Sequence, residues 1–150
     1  MNIENQFNFL RVKDGQAYFA RVTVAQNMEI NDVQISAKAS AQNTNIPKSW
    51  LDAACLGAKK ALNAHIEFGG VEIGIIVTSV FGTEVDTNDN TVEIAAFCAT
   101  WAALGHSDSE LIIEFDQQWR VSPVGWVELA KPNVSNVETA NETPEREPQA

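Results

Sequence analysis

Basic residues are scarce in this sequence: ten lysines and arginines stand against twenty acids, a formal charge of −10 over 150 residues. The last twenty residues account for −2 of it, through Lys131 and Arg146 against Glu138, Glu142, Glu145 and Glu147, so the remainder carries −8 itself. Such a body repels phosphate backbones unless its bases gather on one face. Only Arg11 with Lys13, and Lys59 with Lys60, stand together, which makes free nucleic acid an unfavourable partner. Cysteine is nearly absent too. Cys55 and Cys98 lie in apolar stretches at no disulfide or metal-ligand spacing, and they read as small buried hydrophobes in a reducing compartment. No apolar run approaches the roughly 20 residues that span a bilayer, and "MNIENQFNFLRVK" lacks the basic start and apolar centre of a signal peptide. A cytoplasmic protein with no membrane association is expected. Missing as well is any glycine-rich loop ending in Lys and Ser or Thr, which excludes a phosphate-cradling enzyme.

What is present suffices for one core, since the chain is 45% hydrophobic. "QAYFARVTV" alternates, with Tyr18, Ala20, Val22 and Val24 on one side and Arg21 and Thr23 on the other, the period of a strand with one wet face. "VQISAKA" alternates more weakly. The period then lengthens: Leu51, Ala54, Cys55, Ala58 and Leu62 recur at three and four behind polar residues and a proline suited to a first turn, predicting a helix over 48–64. "GVEIGIIVTSVFG" is a nearly continuous β-branched run and predicts a central strand over 71–81. A second helix is predicted over 89–104, apolar through Val92, Ala95, Ala96, Ala99 and Ala103 and closed by Gly105. In "ELIIEFDQQWRV" the residues Leu111, Ile113, Phe115, Trp119 and Val121 share one face, and "VGWVEL" is expected to turn back beside them as a hairpin partner. After residue 130 the sequence is polar, with Pro and Glu and no aromatic residue, so 1–130 is read as the domain and 131–150 as a disordered tail. Strands, helix, strand, helix, strands is the order of an α+β domain with both helices on one face of a sheet.

Four acids, Glu84, Asp86, Asp89 and Glu93, crowd into "GTEVDTNDNTVEIAAFC". The alternate spacing of Asp86, Asn88 and Asn90 invites a calcium-loop reading. That reading fails at Thr91, where the sharp turn wants glycine, and at Phe97, where a bidentate glutamate should close the shell. Thr87, Asn88, Asp89 and Asn90 are helix-capping types, and acids in a first turn suit its exposed N–H groups, so the stretch reads first as a helix start. His65 and His106 each follow a helix end and have no nucleophile or ligand partner at a useful spacing. Trp50, Trp101 and Trp119 fall at helix and strand spacing and read as packing rather than stacking platforms, while for Trp126 both readings stand. No catalytic residue, metal or cofactor is expected.

A resemblance sharpens this. From Ile46 to Leu104 the chain resembles domain IV of the translocation GTPase elongation factor G, shared with elongation factor 2 and the tetracycline ribosomal protection proteins. "IPKSWLDAACLGAKKAL" is similar to that family's first helix with its Pro-Lys opening, and "FGGVEIGIIVTSVFG" to its glycine turn and central strand, with a one-residue slip inside the strand. "EVDTND" leading into "VEIAA" is similar to its Val-Asp turn into the second helix, and "GQAYFARVTV" to the strand after its first tip loop. The resemblance implies the fold named after the second domain of ribosomal protein S5: two helices on one face of a mixed sheet, with a left-handed βαβ crossover against the usual chirality. It implies a non-enzymatic, freestanding translation module that contacts the small ribosomal subunit or a translation factor through two tip loops. On this chain those loops are Lys13, Asp14, Gly15 and Gln16, and Thr83, Glu84, Asp86, Thr87 and Asn88. The chain departs from the family where the first tip offers Lys13 alone as a base and where Thr83 replaces the histidine of many members, which removes groups that meet RNA. The alternative expectation is an acidic protein-interaction module that kept the fold, lost the ribosome and faces a basic partner protein.

Overall fold

A computed structural model describes residues 4–36 and 46–124. The strands β1 (Glu4–Lys13) and β2 (Gln16–Asn27) are joined by Asp14 and Gly15, whose φ angles of 54° and 81° make a two-residue turn. An Asp-Gly pair suits that geometry because both central residues must take positive φ and the turn twist must match the strands. The short strand β3 (Val33–Ile35) precedes helix α1 (Lys48–Glu67), which leads into β4 (Gly74–Phe81) and helix α2 (Asp89–Ala103). A 3-10 turn (Asp108–Glu110) opens a second hairpin, β5 (Leu111–Asp116) and β6 (Gln118–Pro123). The main sheet has the order β1-β2-β4-β3; β3 runs parallel to β4 and the other pairs are antiparallel, so the sheet is mixed and the fold is α+β.

The expected alternation in β2 sorts its faces. Ala20, Val22 and Val24 are fully buried with Phe9, Ile75 and Val77 on the inner side. Both helices share that core, through Ala54, Ala58 and Leu62 of α1 and Val92, Ala95, Ala96 and Ala99 of α2. The helices touch each other directly where Gly57 faces the Glu93 carbonyl and the Ala96 methyl. Small residues along this seam permit the close approach that larger side chains would block. The β2–β4 pairing contains a bulge: Val22 pairs with Val80 but Val24 with Val77, leaving Thr78 extra, its hydroxyl donating to the Thr23 carbonyl at 3.2 Å.

Both helices end in the same way. In α1 the N–H groups of Gly69 and Gly70 return to the carbonyls of Ile66 and His65, and in α2 those of Gly105 and His106 return to Ala102 and Trp101. This crossed pair of bonds satisfies carbonyls that the helix itself leaves open. Helix α2 starts on a reciprocal cap: Asn88 accepts from the Thr91 N–H at 2.8 Å, and Thr91 Oγ1 accepts from the Asn88 N–H at 2.9 Å. At α1, Pro47 is the N-cap itself rather than a first-turn residue, and no side chain caps it. The helix also runs three residues past the expected end at 64, to Glu67.

The run from Leu111 to Val121 is not a single strand awaiting "VGWVEL"; it folds back on itself at Gln117, which takes a φ of 65°. Phe115 pairs with Trp119 and Ile113 with Val121, so the reversal keeps odd-numbered residues on one face. That parity is why a straight strand and a hairpin centred on residue 117 give the same alternation in sequence. Residues 125–129 of "VGWVEL", Trp126 and the segment 131–150 lie outside the described residues. Cys98 is buried in the shared core and its thiol is pushed up to about 12 by that burial, while Cys55 is half-buried and raised in the same direction for the same reason.

Candidate functional site

The two expected tip loops lie at one end of the sheet but at different heights. Because Arg21 of β2 pairs with Phe81 at the end of β4, the β1–β2 hairpin runs on past it by the five residues from Gln16 to Ala20. That overhang is about 16 Å of hairpin beyond the last β4 pair. Its tip, Lys13, Asp14, Gly15 and Gln16, is exposed. The second loop, residues 82–88, instead folds against the side of the overhang. The Phe19 N–H donates to the Asp86 carbonyl at 2.8 Å, and the Thr87 hydroxyl donates to the Phe19 carbonyl at 2.6 Å. Thr87 Oγ1 also accepts from the Thr83 N–H at 2.9 Å, and Thr83 Oγ1 accepts from the Asp86 N–H at 3.2 Å. Thr87 is buried and is the pin of the loop; Gly82 leaves room for it, since a Cβ there would press on the Thr87 side chain.

The side chains of this loop divide by task. Asn88 caps α2, and Asn90 reaches the second hairpin, its amide donating to the Trp119 carbonyl at 2.9 Å and accepting from the Trp119 N–H at 2.8 Å. The alternate spacing of Asp86, Asn88 and Asn90 therefore does not converge on one point. Among the described residues no group of three His, Cys, Asp or Glu side chains stands close enough to hold a metal. Glu84 and Val85 are exposed, Val85 at 83%, and the Asp86 carboxylate makes no hydrogen bond or ion pair among the described residues. The charge of the second tip is thus that of exposed Glu84 and partly buried Asp86, with no base in the loop. The β5–β6 turn joins the same end of the molecule: Phe115 lies 5.8 Å from Tyr18, and Lys13 Nζ lies 6.0 Å over the Phe115 ring.

The anchoring role belongs to Thr87, and what Asp86 contributes to the anchor is its backbone. We expect Thr87→Val, which keeps the shape and removes the hydroxyl, to lower stability by about 1–3 kcal/mol. Asp86→Asn should fall within about 0.5 kcal/mol of the parent. Urea unfolding of the two variants side by side separates the residues; equal losses would show that the carboxylate also holds the turn.

Several residues of this end were not singled out from sequence. Leu10, Val12 and Phe81 are 59%, 71% and 45% exposed, on the side of the sheet away from the helices. Arg21 lies among them, 5.9 Å from the Phe19 ring and 5.3 Å from the Phe81 ring, and its Nε donates to Asn8 Oδ1 at 2.6 Å. The signal was available in β1, whose apolar residues Phe7 and Phe9 alternate with a second apolar set, Leu10 and Val12, of opposite parity.

At the far end of the helices His65 and His106 meet at 2.8 Å, with His106 stacked on Trp101 at 3.9 Å. His65 Nε2 lies 3.1 Å from the Val71 carbonyl, which only accepts, so that nitrogen carries the proton. His65 Nδ1 then accepts, and His106 Nε2 donates to it. A further proton must go to His106 Nδ1, which faces the Glu110 carboxylate at 3.6 Å. Burial first, and then the neighbouring His65, hold the His106 pKa below its usual value, and Glu110 only partly opposes them. The fold therefore favours neutral His106. Its contribution to stability is complete above about pH 6.5 and is lost as pH falls through the lowered value. The urea midpoint should drop between pH 7.5 and pH 5 more in the parent than in His106→Gln, and equal pH dependence would remove His106 as the cause.

The fold is similar to part of a protein from Thermus thermophilus known from its crystal structure, with a TM-score of 0.51 and 17% sequence identity. The match covers 83% of this chain and 24% of that one, so the chain spans about a quarter of the length of that structure. No family model matches the sequence, and none of the curated proteins does. At this identity the likeness is one of fold alone, and the fold here is an α+β arrangement in which two helices pack on a mixed sheet.

Proposed function

We propose that this chain is a non-enzymatic binding module of the elongation factor G domain IV type, with the S5-like left-handed β3-α1-β4 crossover, and that it presents the loop end of its sheet to the small ribosomal subunit or to a translation factor. The observation that carries this reading is the bonding of Phe19 to Asp86 and Thr87, which holds the loop 82–88 beside the β1–β2 overhang as one projecting unit. A contact end of this kind needs loops held by internal bonds with side chains still exposed, and Lys13, Gln16, Thr83, Glu84 and Asn88 are all exposed there, Thr83 and Asn88 while also holding the loop. Sedimentation of the protein with small ribosomal subunits at low and moderate salt tests it. Association should weaken with salt and strengthen when lysine replaces Asp14 and Thr83, because phosphate neutralisation sets the sequence-independent part of RNA affinity. Failure to associate even in that variant would end the ribosomal reading.

A second reading, a protein-interaction module that faces a basic partner protein, is favoured by the charge of the second tip. Glu84 and Asp86 stand there without a base, beside the exposed Val85. Such a tip suits a protein surface better than a phosphate backbone.

A further inference from the structure

β1 is an edge strand of ten residues whose only strand partner among the described residues is β2. Its register shows which backbone groups are open. Lys13 and Gln16 close the two-residue turn, so they exchange hydrogen bonds with each other, and by alternation Arg11, Phe9, Phe7 and Asn5 also bond to β2. The N–H and C=O groups of Val12, Leu10, Asn8 and Gln6 consequently point out of the sheet. The Leu10 carbonyl accepts from its neighbour Arg11 Nη1 at 3.0 Å, as an outward-pointing group can. Sheet edges of this length are normally blunted by charge, proline or a covering element, because they template pairing with another strand.

The side chains along the edge are sorted by parity. On the outer face Leu10 and Val12 are exposed, with Phe19 beside Leu10 across the hairpin. On the opposite face Arg11 and Lys13 are exposed, each over an aromatic ring and neither in an ion pair with a described residue. Between Asn8 and Arg21 the chain carries three bases and only one acid, Asp14, so this hairpin is a local positive region in a chain of charge −10.

We propose that the outer edge of β1 is a docking strip for an extended segment of a partner protein that alternates apolar with acidic residues. Added beside β1, that segment places apolar side chains against Leu10 and Val12 and carboxylates against Arg11 and Lys13, while its backbone takes up the four open positions from Gln6 to Val12. The complementarity follows from the parity: directly opposed residues share a face, so one strand of period two meets both requirements at once. This goes beyond the function proposed above, since it requires neither a ribosome nor a basic partner, and it concerns the edge of the sheet rather than the loop tips.

The test uses the full chain and two short synthetic strands, valine alternating with glutamate and valine alternating with lysine. Amide hydrogen exchange is read residue by residue by NMR. The glutamate strand should slow exchange at Asn8, Leu10 and Val12 by about tenfold at a concentration near ten times its Kd, and the effect should weaken with salt. Leu10→Pro removes one outward N–H and no bond to β2, so it should leave the fold intact and abolish the protection. The double variant Arg11→Glu, Lys13→Glu keeps the backbone and should transfer the preference to the lysine strand. No protection in the parent, equal protection by both strands, or protection that survives Leu10→Pro would each overturn the proposal. So would protection of the same amides without peptide that grows with protein concentration, because the occupant would then be a second copy of this chain.

Discussion

Replacing Gly57 by valine is expected to destabilise the fold by about 3 kcal/mol, among the largest effects available to a single change in this chain. A Cβ added to Gly57 runs into the Glu93 carbonyl oxygen and lies 3.1 Å from the Ala96 methyl, both on α2. The obstacle is helix backbone, which cannot rotate aside as a flexible side chain would, so the helices must separate along a seam built from alanines. Separation opens the shared core and loses the burial of Ala54, Ala58, Val92 and Ala95 together. Alanine at the same position meets the same carbonyl but gains about 1 kcal/mol of helix propensity over glycine, so Gly57→Ala should lose less than the valine variant. Urea unfolding followed by circular dichroism gives the ordering parent, alanine, valine. A valine variant with an unchanged midpoint would mean that the helices are farther apart than described.

The seam also separates what the residue pattern conveys from what it leaves out. The alanines of α2, spaced for one helical face, state that something approaches closely, and the β-branched run of β4 states that it is covered. What periodicity omits is which element approaches. Gly57 lies in a run that already reads as helix, and only the position of Glu93 across the seam reveals that its missing side chain is required. At the loop end, both expected loops lie at one end of the sheet, but the residue that fixes them was not separable by composition. Thr83, Asp86, Thr87 and Asn88 are all polar turn formers, and the choice of Thr87 as the buried pin depends on the Phe19 carbonyl, 68 residues away in sequence. The Asp14-Gly15 dipeptide carries a two-residue hairpin signal, but neither that turn nor strand β1 was read from the sequence. The second hairpin carries no such signal, because its reversal at Gln117 preserves the alternation that a straight strand would show.

That second hairpin carries the other large expected effect. Trp119 is 7% exposed and lies in a cluster with Phe9 at 5.3 Å, Tyr18 at 5.6 Å and Phe115 at 5.1 Å, all in edge-on arrangements. It joins β6 to the end of the main sheet that bears the tips, and the Asn90 side chain joins the same residue's backbone to the start of α2. Trp119→Ala should therefore cost about 3–5 kcal/mol, through lost burial and the cavity left between the two sheets. Trp119→Phe should cost distinctly less: it keeps an aromatic ring in the cluster, and the indole N–H it removes has no partner among the described residues. Asn90→Ala leaves the Trp119 N–H and C=O unpaired and should cost about 1–3 kcal/mol. Since both changes act on one residue's attachment, the double variant Asn90→Ala, Trp119→Ala should lose less than the sum of the single losses. If the hairpin clamps the tips, the alanine variants should also speed amide exchange at Tyr18 and Phe19, beyond the hairpin itself. Full additivity in the unfolding cycle, with exchange in β2 unchanged, would instead make β5 and β6 a passive cover over Phe9.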